Sequence, residues 1–230
     1  MIQVFQPPSD SVKNFIFLGE AGCGKSELAI NFAYSLKKAG RNVHLFDLDQ
    51  TKPLFRSRDQ KDTILRDGIQ FHYEEQYYDA PTLVSGVAEY LNNAASCCVL
   101  DVGGNDTGSR VIGGFAALVN SGRTVGYFVV NPYRPWSKSQ EAMLETMQSV
   151  LTASQLASVR VICNPNYGYT TTAQAALDGV KKTVELLDGR FPIDFVSIQG
   201  SIAEEAARNS PYPIFPLRLF LQYPWTKEFK

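Results

Sequence analysis

The eight residues Gly19-Glu20-Ala21-Gly22-Cys23-Gly24-Lys25-Ser26 constrain the fold of this chain more than any other segment. They follow Phe15-Ile16-Phe17-Leu18, a short apolar run of the kind found in strands buried on both faces. They precede Leu28, Ala29, Phe32, Ala33 and Leu36, which repeat at helical spacing before the cationic stop Lys37-Lys38 and Gly40. The spacing predicts strand, tight glycine loop, helix. Glycines let successive backbone N–H groups curl around an anion, and the helix N-terminus behind them adds its positive dipole. The full match to G-x-x-x-x-G-K-[ST] in that context identifies a phosphate cradle. Gly19, Glu20, Ala21, Gly22, Cys23 and Gly24 would form its rim, and Lys25 would reach the β- and γ-phosphates. The Ser26 hydroxyl would ligate Mg²⁺, and Glu27 is counted with the cofactor-binding residues.

The rest of the chain repeats the first unit. Strand patterns at Val43 to Asp47, Ile69 to His72, Cys97 to Asp101, Thr124 to Val130, Val159 to Cys163 and Asp194 to Ile198 alternate with helical ones. The helices are predicted near Asp59 to Arg66, Thr82 to Ala94, Ser109 to Asn120, Ser139 to Leu151, Thr172 to Leu187 and Ile202 to Arg208. Stripes such as Met143, Met147, Val150 and Leu151 are core faces. This is the pattern of an α/β three-layer sandwich with a mostly parallel central sheet, the P-loop NTPase fold. With no internal repeat or convincing linker, residues 1–230 are expected to form a single nucleotide-binding domain.

Charge excludes several outputs. The 22 Lys and Arg against 23 Asp and Glu give a net charge of −1, which argues against a dedicated nucleic-acid binder. Residues 52–67, the most basic stretch near the site, carry only a net +2, too little for a surface that neutralises several phosphates. No run approaches the roughly 18 apolar residues of a membrane span, and the N-terminal segment lacks the form of a signal peptide. The tail from Leu217 to Trp225 is apolar but short and broken by Pro224, so it is expected to dock on the domain rather than lie on a membrane. A cytoplasmic protein is the working expectation. Cys23, Cys97, Cys98 and Cys163 form no C-x-x-C pair and read as buried thiols; adjacent Cys97 and Cys98 would point to opposite faces of a strand.

Two acidic segments end strands. Asp47-Leu48-Asp49-Gln50 ends the second and Asp101-Val102-Gly103-Gly104 the fourth. In a parallel sheet both emerge at the carboxyl edge where the glycine loop lies and where ligands of open α/β folds bind. Asp49 would orient an attacking water, Asp101 would hold Mg²⁺ with Asp49 and Ser26 nearby, and Gly104 would bring a backbone N–H toward the γ-phosphate. Lys25, Asp49 and Asp101 are the expected catalytic set.

These motifs make the sequence resemble the MinD/ParA-type (SIMIBI class) branch of P-loop ATPases, including CooC-like maturation factors. Asp47 to Gln50 occupies the switch I position and Asp101 to Gly104 the switch II position. Asn164, directly after a strand, matches a residue that this branch often places at the base, and the stretches Gln199 to Ala207 and Tyr212 to Ile214 look like its closing loop and helix beside the adenine. The resemblance implies Mg-ATP as ligand, a nucleotide-dependent homodimer and an unidentified protein partner, with metallocofactor maturation as one setting.

One position departs from that family. Its phosphate loop carries a lysine after the first glycine that crosses to the partner's nucleotide; here the residue is Glu20, followed by Ala21. Hydrolysis would then be slow, or depend on a cation from Arg56, Arg58 or a partner. An ATP-binding module without productive hydrolysis is the competing reading. GTPase metallochaperones share the fold, but Asn164-Pro165-Asn166-Tyr167 lacks their N-K-x-D base reader, which favours ATP over GTP. A small-molecule kinase would need its own acceptor pocket. Asn131-Pro132-Tyr133-Arg134-Pro135-Trp136 is a candidate surface for it or a stiff turn, with Ser137 and Gln140 as a capping box. The aromatic stretch Phe71 to Asp79 reads as a strand and loop packed on the core, with a partner-docking loop as the alternative and His72 structural.

Overall fold

The computed structural model describes residues 3–49, 57–73 and 84–221. Along the chain come β1 (Asn14–Leu18), α1 (Lys25–Lys38), β2 (Val43–Leu48), α2 (Lys61–Arg66), β3 (Gln70–His72), α3 (Val87–Asn92), β4 (Cys97–Val102), α4 (Asn105–Gly113), α5 (Ala116–Val119), β5 (Thr124–Val130), α6 (Gln140–Ser154), β6 (Arg160–Cys163), α7 (Ala173–Leu187), β7 (Ile193–Gln199), α8 (Gly200–Ala207) and β8 (Ile214–Leu217). The strands form one sheet of eight in the order β3-β2-β4-β1-β5-β6-β7-β8, and each pairing is parallel.

Strand alternation divides the core in two. Phe15, Phe17, Leu45, Val99, Tyr127 and Phe195 face one side, where Leu28, Phe32 and Leu36 of α1 and Ile64 of α2 pack on them. Ile16, Leu18, Leu100 and Phe128 face the other, under α3, α4 and α6, and that layer continues over β7 with α7 and α8. Cys97 belongs to the first layer and Cys98 to the second, as a strand's two-residue period requires. All four cysteines are free and buried. Among the described residues no helix is long and apolar enough to cross a membrane.

Three differences from the sequence expectation have physical causes. The strand β8 was not expected: it is four residues long and contains Pro216, which the sheet tolerates because β8 is the outermost named strand and Pro216 points to solvent. The helix expected over Ser109 to Asn120 instead starts at Asn105 and breaks at Gly113-Gly114 into α4 and α5. Asn105 adopts a positive φ and its carbonyl and side-chain oxygens accept from Ser109 Oγ and Gly108 N, which organises the first turn earlier than the apolar pattern suggests. Finally, α6 is capped by Ser139, whose hydroxyl accepts from Ala142 N at 3.3 Å, while Ser137 closes a short 3₁₀ turn.

Candidate functional site

The glycine loop joins β1 to α1 at the carboxyl edge of the sheet, beside the central strands β4 and β5. Gly19 has φ 135° and a Cβ there would lie 2.7 Å from the Val129 carbonyl, so the loop leaves β1 hard against β5. Gly22 and Gly24 also have positive φ, and Gly24 caps α1. Lys25 is buried and its Nζ spans the loop, donating to the Glu20 carbonyl at 2.9 Å. The Ser26 hydroxyl is buried and has no hydrogen-bond partner among the described residues. A hydroxyl stripped of water without a partner is costly unless a ligand meets it. That orphan oxygen fits the Mg²⁺ position expected of Ser26. The Glu20 carboxylate turns onto the loop itself and accepts from Ala21 N at 3.3 Å.

The carboxylates reach the same edge by strand register. Asp101 pairs with Phe17 of β1 on one side and with Asp47 of β2 on the other. Two residues further on, Gly103 lies so close to Asp49 that a Cβ would meet its Oδ1 at 3.2 Å. Gly104 abuts the loop, where a Cβ would meet Ala21 N at 2.8 Å, so the Asp101-to-Gly104 turn touches the glycine loop directly. Asp47, Asp49 and Asp101 are all buried. Asp47 is the structural member: its Oδ1 accepts from Asp49 N at 3.1 Å and its Oδ2 takes an ion pair from Arg58 Nε at 2.9 Å. Arg58 also donates to the Asp49 carbonyl at 3.1 Å. The expected arginine finger at this position is therefore engaged in bracing the Asp47-to-Asp49 segment, and Arg56, with Gln50, lies outside the described residues. Ser57 adds a bond to Asp101 Oδ2 at 3.1 Å.

Asn164 sits beneath the loop. Its Nδ2 donates to the Cys23 carbonyl at 2.7 Å and its Oδ1 accepts from Ser197 Oγ at 3.0 Å. With 2% exposure and both amide ends engaged, it clamps the loop to β6 and β7. The residue expected to read the base thus has its amide engaged by Cys23 and Ser197 while it borders the cleft. Arg134, in the segment after β5, makes a second brace from its Nε to the Gly22 carbonyl at 3.2 Å. The same segment is stiffened by Asn131, whose amide donates to the Asn166 carbonyl at 2.7 Å and accepts from Tyr133 N.

Beside the loop opens a cleft floored by Gly22, Gly24 and Asn164. Its walls include Pro165, Tyr169, Ile198, Ile202, Leu219 and Leu221, with Glu27 and Arg134 its charged members. The Glu27 carboxylate does not face the loop as expected of a cofactor-binding group. It accepts from the backbone N–H groups of Phe220 and Leu221, and burial pushes its pKa up to about 7.

What sequence reading missed were the partners of Glu27 and the pairing of Arg58 with Asp47. These contacts reach far along the chain or into an irregular segment, and only an acid directly after the loop and an Arg following D-x-D hint at them. Among the described residues no group of three or more His, Cys, Asp or Glu is placed to hold a metal ion. At the far rim, His44 Nδ1 and His72 Nε2 are 3.1 Å apart, and burial lowers both rings' pKa. His72 stacks on Phe46, in keeping with a structural role.

A parallel sheet with a glycine loop, an invading lysine and two strand-end acids at one edge defines a P-loop nucleotide-binding domain. The sequence matches the CobQ/CobB/MinD/ParA nucleotide binding domain over residues 15–167, well over half of the chain, and the protein belongs to that family. No curated protein matches the sequence. Among solved structures, the cell division protein FtsY of Thermotoga maritima is 16% identical with a TM-score of 0.54, over 96% of this chain and 67% of that one. The signal recognition particle receptor FtsY of Elizabethkingia anophelis, in complex with GDP, is 16% identical with a TM-score of 0.55, over 95% and 64%. At these identities the likeness is one of fold, and this chain spans about two thirds of the length of those proteins.

Proposed function

We propose that this protein is a nucleotide-dependent switch that binds Mg-ATP at the Gly19-to-Ser26 loop and uses its hydrolysis to regulate or load a protein partner. The observation that carries the reading is the buried, partnerless Ser26 hydroxyl next to the loop-spanning Lys25, on an edge shared with Asp49 and Asp101. In this scheme the loop N–H groups and Lys25 hold the β- and γ-phosphates. Ser26 and Asp101 hold Mg²⁺, which when bound neutralises charge on the phosphate oxygens, and Asp49 orients water. The Gly104 turn, already touching Ala21, is the element that would sense the γ-phosphate.

ATP is favoured over GTP because a guanine edge calls for a free carboxylate acceptor. Among the described residues, the one carboxylate lining the cleft, Glu27, accepts backbone N–H groups instead. Calorimetry with Mg-ATP and Mg-GTP on the wild type and Lys25→Ala tests the reading; absence of binding to the wild type, or no difference in the variant, refutes it. Size measurement with and without ATP tests the homodimer.

A second reading, a binder without productive hydrolysis, draws support from Glu20, whose carboxylate occupies the Ala21 N–H that a phosphate would use. Single-turnover hydrolysis by the wild type and Glu20→Lys separates the two readings: a pure binder leaves its ATP intact.

A further inference from the structure

The residues after β8 run along α1 and return to the cleft. Three α1 side chains at helical spacing, Glu27, Asn31 and Tyr34, receive them. Glu27 accepts from Phe220 N at 2.5 Å and from Leu221 N at 3.1 Å. Asn31 both donates to the Arg218 carbonyl and accepts from Arg218 N, each at 2.8 Å, as a neighbouring strand would. Tyr34 stacks on Phe220 with ring centroids 4.9 Å apart. Held this way, the segment packs Phe220 and Leu221 into the core layer, and Leu221 also borders the cleft that Leu219 faces. Leu219 remains 37% exposed, a large apolar group facing the cleft rather than packed away.

We propose that residues 218–221 are the wall of the nucleoside half of the site. Glu27, Asn31 and Tyr34 are its positioning residues, and the base is held there by apolar packing of Leu219 and Leu221. The inference rests on the nucleotide reading above. It follows from where the segment lies: Glu27 is next to Ser26, so the helix turn that receives phosphate also fixes the wall that would receive the base. A flat heterocycle recognised mainly by aliphatic contact needs such a wall to be held at fixed distance, since the backbone alone supplies no side chain to it.

The test compares Mg-ATP with inorganic tripolyphosphate, which has the phosphates but no nucleoside. Calorimetry on Glu27→Ala, Asn31→Ala and Leu219→Ser should show Mg-ATP weakened about tenfold and tripolyphosphate unchanged within about twofold. Leu219→Ser keeps the test alive if a latch variant fails to fold, because that residue is partly exposed. Hydrogen exchange at the Phe220 and Leu221 amides should be slow in the wild type and fast in Glu27→Ala. Equal weakening of both ligands would mean that the variants only disturb the loop, and unchanged Mg-ATP affinity in all three would remove the wall from the site; either overturns the proposal. A wild type that binds neither ligand sinks the nucleotide reading itself, and this inference with it, while leaving the amide protection intact.

Discussion

Replacing Asn164 tests whether this residue clamps the loop or reads a base. Its amide makes two bonds in a site with 2% exposure, to the Cys23 carbonyl at 2.7 Å and from Ser197 Oγ at 3.0 Å. At about 1 kcal/mol net per bond, Asn164→Ala should cost about 2 kcal/mol. For a chain of this length that corresponds to a fall in Tm of about 4–8 °C. Asn164→Asp is nearly the same size yet should be worse, by about 3–5 kcal/mol in total, since it puts a buried carboxylate oxygen against a carbonyl. Differential scanning calorimetry and urea titration give the order wild type, Asn164→Ala, Asn164→Asp. The clamp also predicts that Asn164→Ala weakens ATP, GTP and tripolyphosphate by one common factor, because the loop itself is loosened. The reasoning is refuted if Asn164→Asp is as stable as the wild type, or if the loss is confined to one base.

Arg58→Ala should destabilise the protein by about 3–5 kcal/mol in urea titration, because it strands the buried Asp47 carboxylate, and adding Asp47→Asn should recover part of the loss. Gly104→Ala should weaken nucleotide binding and lower Tm together, since its methyl would press on the Ala21 backbone, whose N would lie 2.8 Å away; unchanged affinity would show that the turn yields freely. The histidine pair sets a pH dependence. Burial first, then the neighbouring His72 charge, lowers the His44 pKa from 6.5 to about 4, so the unfolded chain binds the proton first. Stability is untouched above the unfolded value and falls as pH drops from there toward the folded value, by about 2 kcal/mol at pH 5. The drop between pH 7 and 5 should shrink by that amount in His44→Gln; an equal drop in the variant would place the pH dependence elsewhere.

The sequence made the frame of the site readable because each part is local. The glycine loop announces itself in eight residues, and the acids at Asp49 and Asp101 are placed by ending their strands, which a parallel sheet then delivers to one edge. What stayed hidden depends on contacts across the chain. Asn164 could be seen at a strand end, but not that its amide bonds the Cys23 carbonyl and Ser197. Glu27 could be counted beside the loop, but its partners lie nearly the length of the chain away. Arg58 reads as a candidate finger because nothing nearby in sequence marks Asp47, rather than Asp49, as the acid it pairs with. The strand β8 was masked by Pro216, whose ring breaks the expected pattern while costing nothing on an outer strand.

The rims of the sheet carry one more consequence. Beyond β8, Phe5 N donates to the Ile214 carbonyl at 2.9 Å and Ile214 N to the Gln3 carbonyl at 2.8 Å, so the start of the chain seals that side. On the opposite side β3 is three residues long. A neighbour seeking to add a strand finds one flank already taken and a short foothold on the other. Contact with another molecule is thereby steered away from sheet extension and toward the helical faces and the loops at the strands' carboxyl ends, the same rim that bears the glycine loop.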